Sequence, residues 1–257
     1  MKIYLLLFSI LCLLTNCNKI NQPTQKTHKE ELIRAESILR YGNGNSIFKF
    51  FNDSSYTYEV NYKDYDYEKK EKFVGYCSIN KDTIIFFPSR FRFNGCEKAV
   101  IKNGFIEFVD AESTFKLKIS KSRVPVVSKL DFESFNDYAI FSFNPNLYIY
   151  FPKSSSPYDI TQSDLIKIDE ILKACLKENP KEIERDITEY IKQCMIVINE
   201  KGEKEALIMC HCKSPESIKT FEYSMFSLGH DGGDCRFRVK INLTKNTYSE
   251  LLVNGLA

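Results

Sequence analysis

Residues 98–119, KAVIKNGFIEFVDAESTFKLKI, carry the reading that decides the fold. Lys102-Asn103-Gly104 is a tight-turn signal, because Asn and Gly tolerate the positive φ that a short hairpin demands. Strand-like text flanks it on both sides, rich in β-branched and aromatic residues. In 114–119 the alternation puts Phe115, Leu117 and Ile119 on one face and Lys116 and Lys118 on the other, as in a strand with one buried side. Outward from this hairpin the same grammar repeats upstream. IFKFF, YTYEVNY, KFVGYCSI and DTIIFF are separated by NDSS, NKD and FNGCEK, each carrying turn-forming residues. Residues 47–119 are therefore expected to form an antiparallel β-meander.

Such a meander closes as a sandwich or as a small barrel of lipocalin-like size. Before it, Leu32, Ala35, Ile38 and Leu39 have helical spacing and the run stops at Gly42, so a leading helix is expected. After it, YAIFSF and LYIYF read as further strands, and PKSSSPYD breaks the pattern near Ser155. The second half changes period. Leu165, Ile168, Leu172, Cys175 and Leu176 line one helical face, with a capping-box-like start at Thr161 and Asp164. KEIERDITEYIKQ is expected to be a second helix. Strands then follow at CMIVIN, EALIMCHC, IKTFEYSMF, CRFRVKINL and YSELLVNG, with a hairpin turn at Glu200–Glu203. The fold class is α+β: a β-meander domain over 29–154, then a helix-plus-antiparallel-sheet domain over 155–257. In element order the second domain resembles cystatin-like and NTF2-like folds.

Lys and Arg number 36 against 34 Asp and Glu, so no strong field points to nucleic acid, and no nucleic-acid partner is expected. Short basic stretches such as EKKEK are mixed in sign and read as solvated surface. The tyrosine-rich run YTYEVNYKDYDYEKK reads as an edge strand running into a polar loop, with a protein or carbohydrate contact surface as the sharper alternative.

The amino terminus gives an address. Lys2 precedes an apolar run, Ile3 to Leu14, broken by Ser9. At this length it suits a signal-peptide core and falls short of the roughly 20 residues that span a bilayer. Leu14-Thr15-Asn16-Cys17 resembles the lipobox of bacterial lipoproteins, with Asn16 standing where Gly, Ala or Ser is usual. The resemblance implies a signal peptide over 1–16, acylation of Cys17, and a tether over 17–28. It also implies a place in the cell envelope, anchored in the outer or inner membrane. The C-terminal stretch DGGDCRFRVKINLTKNTYSELLVNGLA is similar to that of uncharacterised bacterial envelope lipoproteins, a resemblance that implies no catalytic residues.

Apart from Cys12 and Cys17, the cysteines are Cys77, Cys96, Cys175, Cys194, Cys210, Cys212 and Cys235. In an oxidising compartment some of them should pair, and the economical choice joins Cys235 to Cys210 or Cys212. A zinc site from Cys210, Cys212, Cys235 and either His230 or Cys194 has suitable ligand types but unsuitable spacing. Asp231-Gly-Gly-Asp234 reads as a turn that needs Gly, with too few oxygens for Ca²⁺. No nucleophile elbow, zincin, P-loop or dinucleotide fingerprint occurs, so no catalytic residue, metal or cofactor is assigned. The expectation is a non-enzymatic binding module for an envelope protein or small ligand, working through a barrel mouth or an exposed sheet face. The alternative is a metal-dependent or hydrolytic enzyme built on the Cys210–Cys235 cluster.

Overall fold

The computed structural model describes residues 29–39, 43–64, 67–111, 115–126, 128–144, 150–226 and 231–255. The segment with the lipobox-like motif and Cys17, part of LYIYF, and His230 lie outside the described residues.

Eight antiparallel strands run in sequence order and close into a barrel. They are β1 (Glu31–Ile38), β2 (Gly44–Phe51), β3 (Ser55–Asp64), β4 (Tyr67–Asn80), β5 (Thr83–Phe87), β6 (Lys98–Lys102), β7 (Phe105–Phe108) and β8 (Lys116–Ser122). The hairpin expected at Asn103-Gly104 joins β6 to β7, and both residues have positive φ.

β1 is a strand where the sequence suggested a helix. Leu32, Ala35, Ile38 and Leu39 do have helical spacing, but Ile33, Ala35 and Ser37 also alternate, and these are the buried positions. The alternation wins because β1 fills the gap between β2 and β8, pairing with both and leaving the barrel without an edge.

An eight-stranded barrel is just wide enough for side chains to fill it, and here they do. Phe48, Tyr56, Tyr58, Ile84, Phe86, Ile106, Phe108 and Leu117 point inward. Phe91, from the loop between β5 and β6, is fully buried among them, with ring centroids 4.8 Å from Phe86, 4.9 Å from Phe108 and 5.1 Å from Tyr58. The barrel interior is thus filled by an aromatic core. Tyr56 and Tyr58 of the tyrosine-rich run belong to that core and not to a contact surface. Gly75 faces Tyr56 across the β3–β4 ladder, and a Cβ there would lie 2.7 Å from the Tyr56 ring. Replacing Gly75 by Ala is expected to cost about 1–3 kcal/mol through this overpacking, read as a lower urea midpoint with unchanged m.

The second unit is a six-stranded sheet with a helix on one face. β9 (Tyr138–Phe141) runs parallel to β11 (Tyr190–Ile198), beside the short β10 (Ser156–Pro157). β12 (Lys204–Cys212), β13 (Arg236–Asn242) and β14 (Thr247–Val253) continue antiparallel. Because β9 pairs with β11, sheet membership changes between β8 and β9, upstream of Ser155. Helix α1 (Gln162–Glu178) starts with the expected capping box at Thr161 and Asp164 and buries Leu165, Ile168, Leu172, Cys175 and Leu176. The opposite face of the sheet is apolar too, with Ile191, Met195, Val197, Leu207 and Met209. That two-sided burial explains the continuous apolar runs of β11 and β12.

Two local expectations differ from the structure. In the expected helix 181–193, residues 181–189 form turns and a short 3-10 segment, Ile187–Glu189, and the rest begins β11. Asp186 caps that segment, and Tyr190, Ile191, Lys192 and Gln193 are drawn into the β9–β11–β12 ladder. The expected strand 218–226 is instead helix α2 (Pro215–Thr220) followed by turns. Its capping box at Ser214 and Ser217, with Pro215 in the first turn, fixes a helix start that outweighs the aromatic strand propensity.

Strand β14 is the free edge of the sheet. Arg238 pairs with Leu252 and Lys240 with Ser249, so Glu250 and Leu251 oppose Val239 alone. Glu250 has φ of 51°, which makes this a bulge.

Candidate functional site

Three places bear on function: the cysteine cluster, the seam between barrel and sheet, and a cleft on the barrel rim.

Cys212 and Cys235 form a disulfide, with Cα atoms 4.8 Å apart. It joins the end of β12 to the turn before β13, where Gly232 and Gly233 both have positive φ, as the turn reading of Asp231–Asp234 expected. Asp234 receives Arg185 at 3.2 Å, an ordinary ion pair. Cys210, the other candidate for this bridge, is a free buried thiol, as are Cys77, Cys96, Cys175 and Cys194. Burial pushes the Cys210 thiol well above its ordinary range, so it stays protonated, unlike a nucleophilic or metal-binding thiolate. Among the described residues no group of three or more His, Cys, Asp or Glu is placed to hold a metal ion. The Cys212→Ser/Cys235→Ser double variant is expected to lose about 3 kcal/mol, given the loop of 23 residues that the bridge closes. Its denaturation midpoint should match that of the reduced parent chain.

The seam is polar and buried. The alternation in 114–119 puts Lys116 on the face opposite Leu117. Lys116 does point out of the barrel, but the sheet unit covers that wall and leaves it 2% exposed. Its Nζ donates to the Ile140 carbonyl at 2.6 Å and lies 4.2 Å from the Phe105 ring centroid and 4.3 Å from that of Phe141. Burial lowers its pKa to about 8. Around it, Ser142 N donates to Glu107 at 3.1 Å, Asn144 donates to the Ala111 carbonyl at 2.5 Å, and Lys118 pairs with Glu222 at 2.9 Å.

The cleft has a volume of about 580 Å³. Strands β1 to β4 supply Ile38, Gly44, Asn45, Asn61, Tyr62, Lys63 and Glu68, and α2 of the sheet unit supplies Lys219. The ladder sets this geometry: Gly44 faces Tyr62, Asn45 faces Asn61, and Lys63 faces Glu68. Gly44 is needed at the floor because any Cβ there would collide with the Asn61 carbonyl oxygen. Asn61 donates to Asn45 Oδ1 at 2.9 Å, which fixes both amides. Amides, an ammonium, a carboxylate and a tyrosine ring in one hollow suit a small hydrogen-bonding ligand. Sequence reading missed the cleft, because its residues come from four strand ends and a helix that no local pattern joins.

The chain matches no family model, no curated protein and no solved structure. Among the described residues no helix is long and apolar enough to cross a membrane.

Proposed function

We propose that this protein is a lipid-anchored component of a bacterial cell envelope, acylated at Cys17, and that it works as a non-enzymatic binding module. In this reading the rim cleft takes a small polar ligand. One observation carries it: two separately built units, the barrel rim and α2, contribute polar groups to the same hollow. The lipobox-like Leu14–Cys17 supports the anchor, and two or three acyl chains suffice for stable membrane attachment. The up-and-down barrel supports a lipocalin-like comparison, with the difference that its interior is filled and the ligand site moves to the rim. The helix followed by a meander supports the likeness of the second unit to cystatin-like and NTF2-like folds.

The competing reading, a metal-dependent or hydrolytic enzyme at Cys210–Cys235, has weaker support. Two of its three thiols are joined to each other, and the third is buried and protonated.

Calorimetric titration with a panel of neutral and anionic mono- and disaccharides tests the cleft. Saturable binding of at least one sugar is expected. Asn61→Ala or Lys219→Ala should weaken it about tenfold each, the equivalent of one good polar contact of about 1.4 kcal/mol. Binding that ignores both substitutions, or no binding by any sugar, would remove the cleft from the proposal.

A further inference from the structure

The outer wall of the barrel at β4 and β5 is apolar where a solvated face would be polar. Val74 is 51% exposed, Tyr76 52%, Ile85 47% and Phe87 42%. These four form one patch: Tyr76 pairs with Phe87 across the ladder and stacks on it at 6.4 Å, while Val74 and Ile85 lie two residues away on the same faces. A contiguous patch of this kind on an otherwise charged surface marks an interaction site.

Its position identifies what covers it. The sheet unit bonds β6, β7 and β8, through Lys102, Glu107 and Lys116, and the patch lies on the next strands of the ring, β4 and β5. It also lies towards the barrel end where the described chain begins. Glu30 exchanges hydrogen bonds with Asn52 in the β2–β3 turn at 3.0 and 3.1 Å, and the next residues of that turn lead directly to the patch. Cys77 N donates to the Ser54 carbonyl at 2.9 Å, and Ser55 pairs with Tyr76. Eleven residues lie between Cys17 and Lys29, a span of at most about 40 Å. An acyl group on Cys17 therefore holds this end of the barrel within reach of the bilayer surface. Lys98, which faces Ile85 across the β5–β6 ladder, flanks the patch, while Lys72 on the other side is paired with Glu59 at 2.8 Å. The long stem of Lys98 can lie along apolar surface while its ammonium group reaches lipid phosphates.

We infer that the β4–β5 wall, through Val74, Tyr76, Ile85 and Phe87, docks on the lipid surface to which the chain is anchored. The inference rests on the proposed acylation of Cys17. Docking along this wall lays the barrel side against the membrane.

The sequence contains no Trp, so one introduced Trp is a clean reporter. Full-length Phe87→Trp protein, extracted from membranes, is reconstituted into phosphatidylethanolamine/phosphatidylglycerol vesicles containing brominated acyl chains. Its intact mass reports the acyl groups on the same sample. The expected result is blue-shifted emission that loses most of its intensity to bromine. An Ile166→Trp reporter, on exposed α1 of the sheet unit, should keep its emission; Tyr76→Trp serves if Phe87→Trp does not fold. Equal quenching of the Phe87→Trp and Ile166→Trp reporters, with acyl mass present, overturns the docking and leaves the anchor standing. If the mass shows no acyl group, the anchor reading fails. The same vesicles added to that unacylated protein then decide the docking by themselves, quenching supporting it and unquenched emission overturning it. Emission that responds to added envelope protein but not to lipid assigns the wall to a protein partner and overturns the proposal.

Discussion

Replacing Lys116 by Met is expected to remove a contribution to stability that grows between about pH 8 and pH 10.5 in the parent chain. Burial is the largest cause of the lowered pKa of Lys116, from 10.5 to about 8, against the opposing influence of Glu107 and Glu222. Lys102 and Lys118 act in the same direction as burial. In the unfolded chain the ammonium titrates at its ordinary value. Between the two values the unfolded state holds a proton that the folded state has released, so stability rises with pH in that window. Below about pH 8 the cost of the buried charge is fully present. A shift of this size corresponds to about 3 kcal/mol, which is a large share of the stability of an ordinary domain. Other groups titrate in the same range, and buried tyrosine and cysteine side chains oppose the trend. The informative quantity is therefore the difference between parent and variant urea midpoints at each pH. Lys116→Met should match or exceed the parent at pH 7, within about 2 kcal/mol, because a buried charge is replaced by an apolar chain of similar length. Two parallel curves from pH 7 to 10.5 would sink the assignment.

Gln193→Ala is expected to be the most damaging single change in the sheet unit. The Gln193 side chain is fully buried, donates to the Phe221 carbonyl at 2.6 Å and the Ser224 carbonyl at 2.8 Å, and accepts from Phe226 N at 2.7 Å. It thereby ties residues 221–226 to β11. The same segment meets the barrel, since Ser224 bridges Phe115 and Lys116 N donates to the Tyr223 carbonyl at 2.8 Å. Removing the amide strands one buried donor and two acceptors, each costing roughly 1–3 kcal/mol in full isolation. A total loss of about 3–5 kcal/mol is expected after local relaxation. Hydrogen exchange should quicken at Phe226 and also at the Lys116 amide across the seam. An unchanged Lys116 amide would show that the segment does not depend on Gln193 for its place on the barrel.

Much of the fold was legible because alternation is a local property. Leu117 points inward, on the face its alternation shares with Phe115 and Ile119, and the Asn103-Gly104 turn stands where its backbone preferences put it. What was not legible depends on partners distant in the chain. Ile33 and Leu32 fit two periods equally, and the vacancy beside β8 decides between them. Lys116 alternates correctly, yet its solvent-facing side is claimed by a second unit that no window around residue 116 contains. The start of α2 was readable in Ser214-Pro215, but the aromatic run after it carried more weight than the cap. Of the candidate site, the pairing partner of Cys235 was narrowed to two thiols. Cys212 takes it because β12 ends there, beside the turn, while Cys210 lies one pleat further into the core. The rim cleft had no sequence signature, since Asn45, Asn61 and Lys219 each look like ordinary surface.

The bulge at Glu250 bears on how copies of this protein coexist. Each barrel strand has a neighbour on both sides, whereas β14 ends the order of its sheet and has one on a single side. A flat rim there would template the addition of an identical strand. With Glu250 in the left-handed region and held by Lys240 at 2.9 Å, that rim is twisted and charged at its centre. A strand arriving from a neighbouring copy meets that twist and charge midway along its ladder, which disfavours edge-to-edge pairing.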